Sequence, residues 1–311
     1  MEFKHISVMK EECLQGLNLK PGGIYFDGTL GGGGHSYEIL KRTAPTGKLI
    51  ATDLDQDAIR AATQKLSEFE GRFTVVNDNF KNFSKVMDEN GISALDGVLL
   101  DLGVSSFQLD SRERGFSYLA SDVRLDMRMD RSQPLSAYEV VNEYDERELK
   151  RILFEYGEER FTNRIVSNII EQRKKAPVET TGRLVQIIEK SIPAKFKTDG
   201  HPAKRTFQAI RIEVNGELSG LYETVLEMAR RLKKGGRIAV LTFHSLEDRI
   251  VKQAFKYLEC DCICDKNIPV CVCDKTQEIE ILTNKPITAT VEELNDNPRA
   301  KSAKLRIAEK I

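Results

Sequence analysis

The residues Asp27-Gly28-Thr29-Leu30-Gly31-Gly32-Gly33-Gly34-His35-Ser36 decide the fold, and they follow the short apolar run Ile24-Tyr25-Phe26. A glycine inside a strand or helix costs about 0.5–1 kcal/mol relative to alanine, so four in succession exclude both structures there. The apolar spacing over Tyr37–Leu40 predicts a helix that begins near Gly34, whose free N–H groups face whatever lies above the loop. We therefore predict a strand, a glycine loop and a helix that together form a ligand-binding site. The glycines are explained either by positive φ or by a ligand that approaches the backbone closely. The alternative is a glycine-rich surface turn.

The loop lacks the spacing of the common phosphate-binding loops. A dinucleotide fingerprint, G-x-G-x-x-G, would need a glycine where Ser36 or Tyr37 stands, and the Gly-Lys-Ser/Thr of a Walker loop is missing. Instead, Asp27 ends the first strand, and a second strand over residues 48–52 leads to Asp53, about twenty residues after the glycines. An acid at that place can accept the ribose hydroxyls of a nucleoside. The acidic glycine loop and the second acid together resemble the S-adenosylmethionine methyltransferases, which favours a ligand seat over a surface turn.

Two further predicted strands bring polar residues to the same edge of a parallel sheet. A helix over 57–69 precedes a third strand over 72–76, which leads to Phe80. This aromatic residue either covers one face of an adenine or is a core residue at a helix start, and Asp78 is a candidate cap for that helix. The apolar run Leu95–Gly103 fits a buried strand, with Asp101 near its end. Because ligands of open α/β sheets bind beyond the carboxyl ends of the strands, we expect Asp101 where cofactor and substrate meet.

The chain has 311 residues, enough for two domains of about 150 residues each. Its composition, 40% hydrophobic and 31% charged, is typical of a soluble globular protein, and no apolar run approaches the length of a membrane span. The start, Met1–His5, lacks the apolar core of a signal peptide, which predicts a cytoplasmic protein without a membrane partner. A net charge of −1 argues against a uniformly basic nucleic-acid coat, so any RNA binding must depend on local patches.

The alternation of strands and helices stops after about residue 107. Helical spacing without a strong strand pattern runs to Thr206, with helices predicted at 137–142, 146–154, 163–174 and 182–191. We predict a methyltransferase domain over 1–107 and 207–311, and an inserted all-helical domain over 108–206 that recognises the substrate. Most charges in the insertion are mixed in sign and are expected to form ordinary solvated faces. One basic stretch is opposed only by Asp199 and suits phosphates: Lys195, Lys197, His201, Lys204, Arg205 and Arg211.

The two ends of the chain complete the sheet domain. A helix over 8–17 is expected to pack on the sheet edge. A helix over 218–232 is expected to stop at Lys233–Gly236, where its terminal cations complement the helix dipole. A strand over 237–243 follows, and then a helix with Ser245 as N-cap and Asp248 closing an acidic capping box. A last strand is predicted at Leu305–Ile307.

Five of the six cysteines lie in the Cys-rich loop at 260–273, in the pattern Cys260-x-Cys262-x-Cys264, six residues, then Cys271-x-Cys273. Structural disulfides are not expected in a cytoplasmic protein. Four of these thiolates would suffice for a tetrahedral zinc site, yet Cys-x-Cys pairs are less specific than C-x-x-C knuckles. The alternative is reduced thiols in a variable loop, and the sequence alone assigns no metal ligand.

Several motifs, in one order along the chain, are similar to those of a single family. They are Asp27-Gly28-Thr29 with Gly33-Gly34-His35-Ser36, Leu99–Ser106, Arg114-Gly115-Phe116-Ser117, Leu125–Met129, Tyr156-Gly157-Glu158-Glu159, Arg205–Ala209 and Phe243–Arg249. From His5 to the carboxyl end, the chain resembles the bacterial 16S ribosomal RNA (cytosine-4-amino) methyltransferases, the RsmH or MraW family. The resemblance implies a Rossmann-like α/β sheet with a helical insertion and S-adenosylmethionine as cofactor. It also implies a substrate cytidine in the decoding region of 16S ribosomal RNA, within the small ribosomal subunit. By matching position it implies these cofactor contacts: Gly33, Gly34, His35, Asp53, Phe80, Asp101 and Gln108.

A sulfonium methyl donor is already activated, so the protein mainly has to align the nucleophile behind the methyl group. The amino group of cytosine also needs hydrogen-bond acceptors, because its lone pair is delocalised into the ring. DNA amino methyltransferases supply Asp/Asn-Pro-Pro-aromatic after the fourth strand, whereas this chain has Asp101–Val104 without proline or aromatic residue. The catalytic acceptor is therefore unassigned, with Asn215, His244 and Ser245 as candidates.

Substrate binding is expected to involve these three residues together with Lys204, Arg205 and Arg211. An extruded base also needs a grip between aromatic or apolar groups, for which Phe107, Phe116, Tyr118 and Phe207 are candidates, with core packing as the alternative. Two rival functions stay open. One is methylation of a small molecule or a protein, and the other is a noncatalytic RNA-binding or assembly factor with a vestigial fold.

Overall fold

A computed structural model of the chain describes residues 7–120, 122–196, 200–265, 267 and 270–311, together with the backbone but not the side chain of residue 106. Lys197 and Asp199 of the predicted basic stretch, and the start of the chain at 1–5, lie outside the described residues. Two units are distinguished by their internal contacts. The sheet unit comprises Met1–Gly103 and Leu218–Ile311, and the helical unit comprises Val104–Glu217.

The strands of the sheet unit are β1 (Ile24–Asp27), β2 (Lys48–Asp53), β3 (Phe73–Asn77), β4 (Leu95–Asp101), β5 (Leu232–Thr242), β6 (Ile279–Ile281) and β7 (Lys304–Lys310). Over the described residues they form one sheet in the order β3-β2-β1-β4-β5-β7-β6. The first five strands in this order run parallel, and β7 is antiparallel to both β5 and β6. The predicted Rossmann-like α/β sheet is confirmed, although β6 had no sequence signal that we recognised.

Helices occur in both units. In chain order they are α1 (Lys10–Leu17), α2 (Gly34–Arg42), α3 (Gln56–Leu66), α4 (Phe83–Glu89), α5 (Ser106–Asp110), α6 (Ala137–Glu143), α7 (Glu146–Glu155), α8 (Thr162–Arg173), α9 (Thr181–Ser191), α10 (Lys204–Asn215), α11 (Leu221–Arg230), α12 (Ser245–Glu259) and α13 (Val291–Asp296). The four helices predicted in the insertion correspond to α6–α9. None of the helices in the described ranges is long and apolar enough to cross a membrane.

Apolar side chains cover both faces of the sheet. On one face Phe26, Leu100 and Val240 pack with α4, α11 and α12, and on the other Leu49, Leu99 and Leu241 pack with α1, α2 and α3. The expectation that the first helix packs on the sheet edge is wrong, because α1 contacts β4, β5 and β7, which lie inside the sheet. The parallel strands are thus buried on both faces, as near-continuous apolar runs require.

The region Lys233–Gly236 corrects another prediction. We expected these residues to stop a helix, but α11 ends at Arg230 and Lys233–Gly236 belongs to β5. The pairing of β5 with β4 steps from Leu95 opposite Leu232 to Gly97 opposite Arg237, so the extra residues bulge out of the ladder. Gly235 has a φ of +72°, which a bulge of this kind tolerates only because glycine has no Cβ.

The helical unit has its own core, built from α6–α10. The buried side chains of α10, which include Phe207, Ile210 and Val214, belong to this core and not to that of the sheet. The predicted insertion of 108–206 differs from this unit in its bounds, because its end at Thr206 falls inside α10. The helical unit instead runs from Val104 to Glu217.

Candidate active site

The glycine loop connects β1 to α2 and is held by a buried acid. Asp27 Oδ1 accepts a hydrogen bond from the Thr29 N–H at 3.1 Å, and Oδ2 accepts one from the Ser36 hydroxyl at 2.6 Å. Burial raises the pKa of Asp27, while the Ser36 hydrogen bond opposes this change. Asp27 therefore fixes the start of the loop and the first turn of α2, and both its oxygens are used inside the protein.

Positive φ or close packing explains three glycines of the loop, Gly28, Gly31 and Gly33, as predicted. Gly33 is the N-cap of α2 with a φ of +72°, and a Cβ there would lie 3.1 Å from the Ala62 Cβ of α3. A Cβ on Gly28 would lie 2.4 Å from Leu100 Cδ2 and 3.0 Å from Phe80 Cβ. The loop thus passes close to β4, α3 and the residue that follows β3, where larger residues would not fit.

Asp53 ends β2 and holds the middle of the loop. Its Oδ2 accepts a hydrogen bond from the Gly31 N–H at 2.7 Å, and its Oδ1 accepts one from the Asp55 N–H at 2.8 Å. Burial raises the pKa of Asp53 to about 6, and the two backbone N–H donors oppose the shift. A carboxylate oxygen accepts more than one hydrogen bond, so capacity remains for ribose hydroxyls.

Asp101 and His35 face each other at the ends of β4 and the glycine loop. His35 Nε2 lies 3.5 Å from Asp101 Oδ2, and the Asp101 N–H donates to Thr29 Oγ1 at 2.6 Å. The His35 side chain is only 6% exposed, and neither ring nitrogen has a hydrogen-bond partner within the described part of the chain. Since buried polar atoms are normally paired, these nitrogens fit a site that a polar cofactor completes.

Phe80 begins a short 3₁₀ turn, Phe80–Asn82, directly after β3. Its ring is half-buried and packs on the core that contains Phe26, while its Cβ lies beside Gly28 of the glycine loop. This supports the interpretation of Phe80 as a core residue, and its contact with an adenine stays a prediction. The suggestion that Asp78 caps this turn is wrong, because Asn79 is the N-cap and Asp78 Oδ1 accepts from the Asn79 N–H instead.

Gln108 belongs to the helical unit, whereas the other six predicted cofactor contacts belong to the sheet unit. Its backbone N–H donates to Ser105 Oγ at 3.2 Å, and its side-chain oxygen accepts from the Ser105 N–H at 3.0 Å. The pair forms a capping box at the start of α5, with Gln108 only 4% exposed. Its cofactor role stays a prediction from the resemblance.

The start of α12 differs from the prediction. His244, not Ser245, is the N-cap, and Glu247, not Asp248, closes the capping box. His244 Nδ1 accepts from the Glu247 N–H, and Nε2 lies 3.1 Å from Glu247 Oε1. The His244 side chain is only 6% exposed, and its Nε2 has no hydrogen-bond partner within the described residues, so its role in substrate binding stays a prediction; Ser245 is exposed at the first helical position.

The Asn215 side chain makes hydrogen bonds inside the helical unit. Its Oδ1 accepts from the Met129 N–H at 2.8 Å, and its Nδ2 donates to the carbonyls of Met127 and Arg211 at 2.8 and 2.9 Å. With the amide used on both sides, Asn215 fixes the segment 127–129, where Met127 has a φ of +59°. The Oδ1 atom can accept a second hydrogen bond, so the role of Asn215 toward a substrate amine stays a prediction.

The cations of the basic stretch fall into two groups. Arg211 makes a bidentate pair with Glu217 at 2.8 and 2.7 Å, so its charge is largely neutralised. Lys204 and Arg205 are exposed on the first turn of α10, and Arg205 Nη1 donates to the Glu158 carbonyl. Two cations there add to the positive end of the helix dipole, a combination that attracts anions.

The aromatic candidates are mainly structural. Phe116 and Phe207 are buried in the core of the helical unit, and the Tyr118 ring stacks on His201 with centroids 4.5 Å apart. Phe107, by contrast, is 46% exposed. Core packing thus explains Phe116 and Phe207, while Phe107 keeps a surface that a base can contact.

Sequence reasoning missed the small hydroxyl residues that shape the site. Thr29 Oγ1 accepts from the Asp101 N–H, and Thr52 Oγ1 donates to the Gly28 carbonyl at 3.0 Å. Each of these two hydroxyls links two strand ends at the carboxyl edge of the sheet. Their signal was a threonine one or two positions from each predicted acid, Asp27 and Asp53.

A mainly parallel sheet with a glycine loop after β1 and acids at the ends of β2 and β4 defines a Rossmann-like methyltransferase, the class that takes S-adenosylmethionine. The chain belongs to the MraW methylase family, whose profile matches residues 2–311. Ribosomal RNA small subunit methyltransferase H of Clostridium botulinum (strain Kyoto / Type A2) is 54% identical over 311 residues, which are 100% of both chains. The protein of that name from Clostridioides difficile (strain 630) is 52% identical over 312 residues, again covering 100% of both. That from Lachnospira eligens is 54% identical and covers 100% of this chain and 99% of its own.

Proposed function

We propose that the protein transfers the methyl group of S-adenosylmethionine to the 4-amino group of a cytidine in the decoding region of 16S ribosomal RNA, within the small ribosomal subunit. The observation that carries the proposal is the carboxyl edge of the sheet, where Asp53, the glycine loop and the His35–Asp101 pair converge. Family membership and the full-length relatives named as ribosomal RNA small subunit methyltransferases support the substrate. We place this activity in the cytoplasm, where ribosomal subunits occur.

In this proposal the sheet unit holds the cofactor. Asp53 accepts hydrogen bonds from the ribose hydroxyls, and Phe80 covers one face of the adenine. Gly33, Gly34 and His35 provide close backbone approach and polar contacts from the start of α2, and Asp101 lies at the end of β4 opposite His35. Bound S-adenosylmethionine supplies an electrophilic methyl group, so the protein contributes alignment and exclusion of water. Gln108 is proposed as a further cofactor contact.

The acceptor for the target amine is proposed among three residues. The Asn215 Oδ1 accepts from the Met129 N–H, the buried Nε2 of His244 has no hydrogen-bond partner within the described residues, and Ser245 is exposed at the start of α12. We propose Asn215, His244 and Ser245 together as contacts for the substrate.

RNA binding is proposed for the first turn of α10. Lys204 and Arg205 are exposed there, and phosphate contacts by such residues supply sequence-independent affinity. Arg211, which pairs with Glu217, is expected to contribute less than the other two. Because Lys204, Arg205 and Arg211 lie on one helix, single substitutions can compare their contributions to RNA affinity.

The test is a methyl-transfer assay with labelled S-adenosylmethionine. Small subunits that lack the modification and free 16S ribosomal RNA are incubated in parallel with the protein, and the RNA is then digested to nucleosides. Label in a 4-amino-methylated cytidine supports the proposal, and the comparison of substrates separates assembled subunits from free RNA.

Two outcomes would contradict this function. Label in a protein or small molecule would favour the first rival substrate class. Cofactor binding by calorimetry with no transfer to any RNA form would favour a noncatalytic assembly factor.

A further inference from the structure

Four cysteine sulfur atoms converge in the exposed segment between α12 and β6. The Sγ atoms of Cys262, Cys264, Cys271 and Cys273 all lie within 4.8 Å of one another. Four of the separations are 3.5 Å (262 to 271), 3.6 Å (271 to 273), 3.8 Å (262 to 273) and 3.9 Å (264 to 271). Two Cys-x-Cys pairs, far apart in the loop, thus meet at one point.

These separations match the edges of a metal-centred tetrahedron. Zinc binds cysteine thiolates at about 2.3 Å, which places the sulfur atoms of a regular tetrahedron about 3.8 Å apart. The structure also selects four of the five cysteines in the loop. Cys260, at the end of α12, directs its Sγ to the Tyr257 carbonyl at 3.1 Å and is not part of the cluster.

Backbone N–H groups surround the sulfur atoms. The N–H of Ile263 is 3.3 Å from Cys273 Sγ, that of Cys264 is 3.4 Å from Cys262 Sγ, and that of Val272 is 3.3 Å from Cys264 Sγ. Donors aimed at sulfur stabilise thiolates, and such outer contacts orient the ligands of metal sites. The three contacts are thus of the kind that a thiolate ligand makes.

The described residues of the loop have little apolar packing to hold their shape. Ile263, Val270 and Val272 are 55%, 71% and 76% exposed, so they contribute no apolar core. No regular helix or strand is present at 260–265, 267 or 270–278. A structural metal supplies folding free energy directly in small elements of this kind.

We propose that Cys262, Cys264, Cys271 and Cys273 bind one zinc ion as a closed tetrathiolate site that fixes the loop between α12 and β6. A closed site of four protein ligands leaves no position for water, so its role is structural and not catalytic. The proposal is independent of the methyl-transfer substrate. It requires only that the thiols stay reduced.

The first test is metal content. The full chain, purified without chelator or a nickel column, is expected to contain stoichiometric zinc by elemental analysis. Cys262→Ser and Cys271→Ser should each lose the zinc, whereas Cys260→Ser, the matched control from the same loop, should keep it. Far-ultraviolet circular dichroism shows whether each variant is folded, and a folded Cys271→Ser protein without zinc supports the site.

The second test identifies the metal ligands by spectroscopy of the wild-type protein. Zinc is removed with a chelator under reducing conditions and replaced with cobalt, which is expected to give thiolate charge-transfer and tetrahedral d–d absorption bands. A wild-type protein with neither zinc nor these cobalt bands would overturn the proposal. Loss of zinc in Cys260→Ser equal to that in Cys262→Ser would overturn the assignment of ligands, and iron in place of zinc would overturn the identity of the metal.

Discussion

Replacing Asp53 with asparagine is the sharpest test of the cofactor site. Asp53 Oδ1 and Oδ2 already accept from the Asp55 and Gly31 N–H groups, so alanine would release the loop as well as the ribose. Asparagine keeps the shape and one acceptor oxygen but loses the charge, and its NH2 group leaves one of the two N–H donors without an acceptor, a loss that urea unfolding measures separately. A hydrogen bond to a charged group is worth about 1.5–3 kcal/mol. We therefore expect Asp53→Asn to weaken S-adenosylmethionine binding about 10- to 150-fold at neutral pH.

The pH dependence adds a second, independent measurement. Because burial raises the pKa of Asp53 to about 6, the acid becomes protonated as the pH falls through 6 and can no longer accept as a carboxylate. Cofactor affinity of the wild-type protein should therefore fall below pH 6, and that of Asp53→Asn should lack this step.

Stability should change in the opposite direction. The folded state binds a proton more tightly than the unfolded chain, so Asp53 lowers the free energy of unfolding as the pH rises from about 4 to about 6, by at most about 3 kcal/mol. Calorimetric titration and urea unfolding over this range measure both effects. Asp57→Asn, on the neighbouring turn of α3, is the control and should leave affinity unchanged. Equal affinity and equal pH profiles in wild type and Asp53→Asn would refute the ribose role.

Three further predictions concern the loop, the RNA surface and a structural amide. Gly33→Ala should lower the free energy of unfolding by more than about 1–2 kcal/mol, the usual cost of a left-handed residue, because its Cβ would crowd Ala62. Gly91→Ala, with a φ of +65° and open space, should show the conformational cost alone in urea unfolding, and equal losses would remove the crowding argument. Charge reversal of Lys204 and Arg205 should lower RNA affinity over a salt series and flatten its salt slope by roughly one unit per lost contact, with cofactor binding unchanged. Reversal of Lys174 and Lys175 is the control, and an unchanged RNA affinity in the first variant would place the RNA surface elsewhere. Asn215→Ala should lower the free energy of unfolding by about 1–3 kcal/mol, because the Met129 N–H loses its acceptor. An unchanged melting temperature with lost methyl transfer would support Asn215 as a contact for the substrate.

Local patterns predicted much of the sheet unit. The helix start at Gly34, the acid after β2 and the acid at the end of β4 depend on residues that are neighbours in sequence, and each lies where it was expected. The same is true of α6–α9, whose apolar spacing is regular. Hydrophobic periodicity and the ends of strands are local properties of the sequence, so they can be predicted without knowing which distant residues pack against them.

The errors involve choices that the local sequence leaves open. Two overlapping capping patterns begin at His244 and Ser245, one residue apart, and packing selected the first. Two of the three partners of Asn215 lie 86 and 88 residues earlier in the chain, so no local pattern reveals those contacts. Likewise, the residues at 233–236 bulge because of their register with β4, which the sequence of β5 alone does not contain.

The position of the helical unit between β4 and β5 has a consequence for synthesis on the ribosome. Strands β1 to β4 are complete once Asp101 is made, but β4 pairs on its other side with β5, which starts at Leu232. At 5–20 residues per second, the intervening chain takes on the order of ten seconds to translate. During that time the apolar strand β4 is an open sheet edge, a known site for unwanted pairing with other chains. A helical unit with its own core can fold within this interval. The nascent protein then still exposes the edge of β4, but it no longer carries a long unfolded segment after that strand.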